Sequence, residues 1–332
     1  MSAEILLSVE GLKKTFAVSS GLFGRALTLT ALEDITFSVT EGETLGIVGE
    51  SGCGKSTLGR CILQLLAPDT GKVVWLGNDL TKVPAEEMRR HRRDLQIIFQ
   101  DPLASLNPRM TVGDIIVDPL RTLMPELSAT ERRARVLRMM EAVGLLPEMI
   151  NRYPHEFSGG QAQRIGIARA LITEPKLIVC DEPVSALDVS IQAQILNLLS
   201  ELKDEFGLTL VFISHDLSVV RHVSDRIMVL YLGRIVELAA GDVLYQAPRH
   251  PYTQTLLSAV PIPDPVKARA RTIEALTGEI PSPINPPSGC TFRTRCRYAR
   301  DICAEIRPPL TNATGDHQIA CHRWEQIAGL ID

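Results

Sequence analysis

The chain has 332 residues, 45% of them hydrophobic, which suits about two domains of roughly 150 residues and a substantial core. With 35 Lys and Arg against 39 Asp and Glu, the formal net charge is -4, so the strongly basic footprint of a nucleic-acid binder is missing. No apolar run approaches the roughly 18 to 20 residues that span a bilayer, and no basic cluster leads a secretory signal, so a reducing cytosolic setting is expected, with seven cysteines as free thiols or metal ligands.

In chain order, residues 6–9 and the alternating Ile35, Phe37 and Val39 before the turn pair Glu41-Gly42 predict antiparallel strands. Residues 44–48 form a short apolar strand that runs into the glycine-rich stretch 49–54, and helical spacing follows over 57–66. From about 83 to 146 the chain turns charged and helix-like, with Arg89, Arg90, Arg92 and Arg93 on a solvated helix face. The continuous apolar run 177–180 suits a strand buried on both faces. Ile191, Ile195, Leu198, Leu199 and Leu202 recur at helical spacing, and 209–213 supplies another buried strand. Such alternation predicts an α/β fold with a parallel sheet flanked by helices. Residues 260–287 hold seven prolines and read as an extended connector, so the compact core is expected to end before them. Beyond lies a stretch with four of the seven cysteines and little apolar periodicity, read as a small metal-stapled appendix.

Gly49-Glu50-Ser51-Gly52-Cys53-Gly54-Lys55-Ser56, followed by Thr57, matches GxxxxGK[ST] between a predicted strand and a predicted helix. Glycines allow backbone N–H groups to turn inward around phosphates, and the helix presents its positive end. Lys55 adds a point charge for the β- and γ-phosphates of ATP, and Ser56 a hydroxyl for Mg²⁺. Further on, Asp181-Glu182 places two carboxylates at the carboxyl end of a buried strand, where doubly wound sheets bind ligands. Asp181 is expected to hold Mg²⁺, and Glu182 to orient and deprotonate the attacking water.

Between these motifs lies Ser158-Gly159-Gly160-Gln161, and here the chain resembles the nucleotide-binding subunits of ABC transporters. The resemblance implies that Gln100 belongs to the loop sensing Mg²⁺ and the membrane partner, that 158–161 is the signature, that Ser185 to Asp188 is the D-loop and that His215 is the switch histidine at the γ-phosphate. It also places Phe16 against adenine. A complete site then needs a head-to-tail pair, the signature of one subunit covering nucleotide held by the other. The serine and two glycines opening a helix agree with a second anion-binding helix terminus.

Phe99-Gln100-Asp101-Pro102, Ser105-Leu106-Asn107-Pro108-Arg109, Arg152-Tyr153-Pro154-His155 and His250-Pro251-Tyr252-Thr253 narrow the likeness to ATPases of bacterial oligopeptide and dipeptide permeases, nearest to their F-type subunits. Ala162, where a basic residue often follows the signature, is a small departure. The resemblance implies an ABC-type P-loop NTPase domain over 1–258, with antiparallel N-terminal strands and a helical subdomain at about 100–170, and a C-terminal region over 259–332. It implies an ATPase on the cytoplasmic face of the inner membrane, working with a related D-type ATPase, two transmembrane permease subunits and an extracytoplasmic peptide-binding protein. The alternatives are a soluble ABC ATPase of translation or repair, and a degenerate, redox-sensing ABC subunit.

Cys290, Cys296, Cys303 and Cys321 are spaced Cx5C, x6C and x17C, enough thiolates for one tetrahedral or cubane site. The short knuckle usual for zinc is absent. Related permease subunits carry a [4Fe-4S] cluster on this tail, which implies iron–sulfur here, with Zn²⁺ as the alternative. His317 and His322 are spare ligands. A polar tail of this kind shows no other evident means of staying folded. Cys53 lies within the glycine-rich stretch, while Cys61 and Cys180 read as small packing residues.

Overall fold

The computed structural model describes residues 4–19, 26–260 and 278–328. Two long strands come first, β1 (Ile5–Ser19) and β2 (Ala26–Thr40). In β2 the expected alternation is realised, with Ile35, Phe37 and Val39 buried and Asp34 and Thr36 exposed. After the turn at Glu41-Gly42 comes β3 (Thr44–Val48), buried at all five positions, and then α1 (Lys55–Ile62). This helix starts two residues earlier and stops four residues sooner than the expected 57–66, because Gln64 takes a φ of 51°, outside the helical range.

β4 (Thr70–Trp75) and β5 (Asn78–Asp79) precede α2 (Ala85–His91) and β6 (Leu95–Ile98). β6 corrects the reading of 83–146 as helical throughout. It is four residues long between charged flanks, too short to show a period, and it forms because β7 (Leu177–Asp181) offers it a parallel partner. Three helices complete this stretch: α3 (Val112–Leu123), α4 (Ala129–Ala142) and α5 (Gly159–Leu171). Thr111, Ser128 and Ser158 cap them, each side chain accepting a backbone N–H of the first turn.

The remaining elements are α6 (Val189–Phe206), β8 (Thr209–Ser214), α7 (Leu217–Val223), β9 (Arg226–Tyr231), β10 (Arg234–Ala240), α8 (Gly241–Gln246) and α9 (Pro251–Ser258). The tail adds α10 (Asp301–Glu305), β11 (Thr311–Thr314), β12 (His317–Ile319) and α11 (Trp324–Ala328). Most of the proline-rich connector, 261–277, lies outside the described residues.

The chain divides into two compact units. One gathers Met1–Leu7, Val39–Thr44 and Val74–Ser214. In it β6, β7 and β8 run parallel, with Leu95 beside Leu177 and Leu177 beside Thr209, and α5 packs against α3, α4 and α6. Ile178, Val179, Val211 and Phe212 are fully buried, each stabilising the unit by roughly 1.5–3 kcal/mol.

The other unit gathers Ser8–Ser38, Leu45–Val73 and His215–Asp332. Here β3 runs parallel to β9, β9 pairs antiparallel with β10, β10 with β12, and β12 with β11. The tail therefore continues a sheet. Phe292, Ile319 and Ile327 are buried, so the expectation that only a metal keeps this region folded is corrected: backbone pairing and apolar burial both contribute.

Candidate functional site

The glycine-rich turn after β3 is built around atoms that leave no room for side chains. A Cβ on Gly49 would lie 2.2 Å from the Leu230 carbonyl oxygen, and one on Gly54 would lie 2.4 Å from that of Ala31. Gly54 has φ 106° and precedes α1, whose first turn holds no acidic residue and whose N-terminus has no side-chain cap. A glycine-rich turn that leads into the positive end of a helix with no carboxylate in its first turn fits phosphate. Lys55 is 4% exposed, and its Nζ donates to the carbonyl oxygens of Gly49 at 2.7 Å and Glu50 at 3.1 Å. Cys53 donates its N–H to the Glu50 carbonyl at 3.2 Å, and burial pushes its thiol pKa up. Ser51 and Gly52 form the exposed tip, while Ser56 and Thr57 are half-buried on the first turn of α1.

In the same unit Phe16 stands exposed on β1, with the Lys14 ammonium 5.6 Å from its ring centroid. His215 is exposed immediately after β8, and the next residue, Asp216, caps α7 by accepting the Ser218 N–H at 2.7 Å.

The other unit carries the second set of residues. Asp181 ends β7 and is 4% exposed. Glu182 follows in a left-handed conformation, φ 49°, a costly state for a non-glycine residue. It is held there by its N–H to the Ile213 carbonyl at 3.0 Å and by the Ser185 hydroxyl, which donates to the Glu182 carbonyl at 3.1 Å. Gln100 Nε2 donates to Glu182 Oε2 at 3.0 Å, joining two residues that the sequence motifs assigned to neighbouring tasks.

Ser158 and Gln161 form a reciprocal capping box at the start of α5. Gly160 lies tight against α6, since a Cβ there would be 2.6 Å from Ile191 Cγ2, whereas one on Gly159 would be 3.4 Å from Leu187. Asp188, the N-cap of α6, is exposed beside Val189, which is 82% exposed. The signature and the end of the D-loop are thereby brought together.

Cys290, Cys296, Cys303 and Cys321 all line one small cavity, shared with Phe292 and Tyr298. Burial pushes the Cys290 thiol up to about 11 and that of Cys321 to about 12. The expected metal site, iron–sulfur or zinc, is not shown: among the described residues no group of three or more His, Cys, Asp or Glu is placed to hold a metal ion. The Nε2 atoms of both spare histidines are engaged elsewhere, although His322 lines the same cavity. His322 Nε2 contacts the Ile306 carbonyl at 2.9 Å, and His317 Nε2 lies 2.7 Å from Glu237 Oε1. Cys61 and Cys180 are fully buried, with their thiols pushed up to about 11 and about 12.

Two further groups escape the sequence reading. Glu237, 0% exposed, accepts the Arg249 and His250 N–H groups besides its contact with His317. Arg295 forms a two-pronged ion pair with Glu50 of the glycine-rich turn. Partners so distant along the chain leave no local pattern.

An ABC transporter family model matches residues 32–185, and a model of the oligopeptide/dipeptide transporter C-terminal region matches 236–303. The oligopeptide transport ATP-binding protein OppF of Salmonella typhimurium is 59% identical over 327 residues, covering 98% of each chain. That of Haemophilus influenzae is 56% identical over 321 residues, 96% of this chain and 97% of the relative. A dimeric ATP-binding cassette solved in a post-hydrolysis state with ADP and Pi aligns at TM-score 0.63 and 31% identity, over 71% of this chain and 98% of that one. The ABC ATPase P-loop fold is thereby established, and ABC ATPases bind ATP and Mg²⁺. The chain belongs to the ATP-binding subunits of the oligopeptide/dipeptide ABC transporter family, in their OppF/DppF-like branch.

Proposed function

We propose that this chain hydrolyses ATP to energise the import of di- or oligopeptides, as a peripheral subunit on the cytoplasmic face of the inner membrane. Likeness to transport ATPases over nearly the whole chain favours this over a soluble translation or repair ATPase, and the Gln100–Glu182 contact favours it over a degenerate subunit. No helix among the described residues is long and apolar enough to cross a membrane. Two permease subunits are proposed to form the path for peptide. A D-type ATPase is the proposed mate, and an extracytoplasmic binding protein delivers the cargo.

In this reading the backbone N–H groups of 49–56 and Lys55 bind the ATP phosphates, and Phe16 stacks on the base. Ser56, Gln100 and Asp181 would hold Mg²⁺, which supplies charge neutralisation along the phosphates when bound. Glu182 Oε accepts the proton of the attacking water, and His215 donates to the γ-phosphate. Ser158 to Gln161 and Asp188 cover nucleotide held by the mate. The observation that carries the reading is the Gln100–Glu182 hydrogen bond, which ties the proposed base to the loop proposed to feel the membrane subunits. Reconstituted complex with peptides of graded length provides the test. ATP-dependent uptake that stops with Glu182→Gln is expected, and uptake indifferent to this chain would overturn the assignment.

Residues 259–332 are proposed as the transporter-specific region, its four cysteines holding a [4Fe-4S] cluster. Four thiols lining one cavity support a shared site, and the resemblance to permease ATPases favours iron–sulfur over zinc in it. Anaerobic purification should give brown protein with about four irons per chain, and colourless protein with one zinc would reject it.

A further inference from the structure

The glycine-rich turn carries a carboxylate of its own. Glu50 is its second residue, and a negative charge there opposes the phosphates that the turn is built to bind. The backbone around Glu50 is already well anchored. Its N–H donates to the Tyr252 hydroxyl oxygen at 2.9 Å, and its carbonyl receives Lys55 Nζ and the Cys53 N–H. The side chain is answered from the tail. Arg295 Nη1 donates to Glu50 Oε2 at 2.6 Å and Nη2 to Oε1 at 3.0 Å, the parallel fork that arginine makes best.

Packing holds this arginine in place. Its side chain is 4% exposed against 21% for that of Glu50. Its guanidinium carbon lies 6.0 Å from the Tyr231 ring centroid, and its N–H donates to the Phe292 carbonyl at 3.0 Å. Phe292 in turn meets Tyr231 edge-on at 5.3 Å and Tyr252 at 5.4 Å. The hydrogen bond to Glu50 also holds the guanidinium pKa above its ordinary value.

We propose that Arg295 is a positioning residue of the nucleotide site, neutralising the Glu50 carboxylate within the phosphate loop and locking that loop in its open cradle. The C-terminal region thus completes the electrostatics of a site 245 residues upstream. The proposal rests on reading 49–56 as the ATP-phosphate loop.

Steady-state hydrolysis of Mg-ATP by the assembled transporter provides the test. Arg295→Ala should raise KM for Mg-ATP on the order of tenfold while kcat moves less than about twofold, because Arg295 touches no reacting atom. The defect should narrow at high salt. Adding Glu50→Gln to Arg295→Ala should recover most of the lost affinity, a rescue that simple damage to the tail would not permit. An unchanged KM in Arg295→Ala, or a double variant no better than the single, overturns the proposal. If Arg295→Ala does not fold, Arg295→Lys carries the test, with KM raised about threefold for loss of the fork and wild-type KM as the contrary result. Wild-type transporter without Mg-ATP hydrolysis would instead sink the nucleotide reading itself.

Discussion

Gln100 Nε2 donates to Glu182 Oε2 at 3.0 Å, so the side chain proposed as general base is held from the loop after β6. Glu182 sits at φ 49°, and three hydrogen bonds to its backbone, from its own N–H and from Ser185, keep it there. Glu182→Gln preserves all of those and the amide can still meet Gln100, while losing the capacity to accept a proton. Turnover should therefore fall about 10²- to 10⁴-fold, with Mg-ATP binding retained and the paired ATPases trapped closed. Single-turnover hydrolysis together with nucleotide binding checks this, and turnover within about threefold of wild type would remove Glu182 from the role.

The signature glycines should differ in what they tolerate. A Cβ on Gly160 meets Ile191 Cγ2 at 2.6 Å, closer than any packed methyl group can come, whereas one on Gly159 finds ordinary contact with Leu187 at 3.4 Å. Gly160→Ala must displace the Ile191 side chain or the helix that carries it and should cost about 1–3 kcal/mol, as overpacking does. Gly159→Ala should cost less than about 1 kcal/mol and even aid the helix. Urea midpoints of the two variants decide this, and equal midpoints would mean that the contact between α5 and α6 relaxes freely.

What was legible in the sequence was whatever a local pattern could carry. The run Thr44–Val48 into Gly49–Ser56 demanded a strand, a phosphate-ready turn and a helix, because each piece has its own composition. Glu182 and Gln100 each stand in a motif, but their hydrogen bond is not legible there, since nothing local announces a contact 82 residues apart. β6 escaped for a related reason: four residues, Leu95–Ile98, become a strand only beside β7. In the tail the cysteines dominated the reading and concealed Ile319, whose strand pairs with Glu237 and Leu238 of β10. Backbone pairing and apolar burial do folding work there that the cysteine spacing alone assigns to a metal.

That pairing gives Glu237 its importance. It is 0% exposed in β10, where its carboxylate accepts the Arg249 N–H at 2.7 Å and the His250 N–H at 3.0 Å and lies 2.7 Å from His317 Nε2. One carboxylate thus satisfies the turn before α9 and fastens β12 of the tail to β10. Glu237→Ala strands several donors in a dry environment and should cost more than about 2 kcal/mol, since a buried polar group left unpaired costs roughly 1–3 kcal/mol. His317→Ala leaves the carboxylate its two backbone donors and should cost less. Because the residues share one network, the double variant should lose less than the sum of the singles. Chemical denaturation of the full chain reads all three. Strict additivity would show that Glu237 stabilises the turn alone and that β12 is held by its backbone, leaving the tail free to detach without disturbing α9.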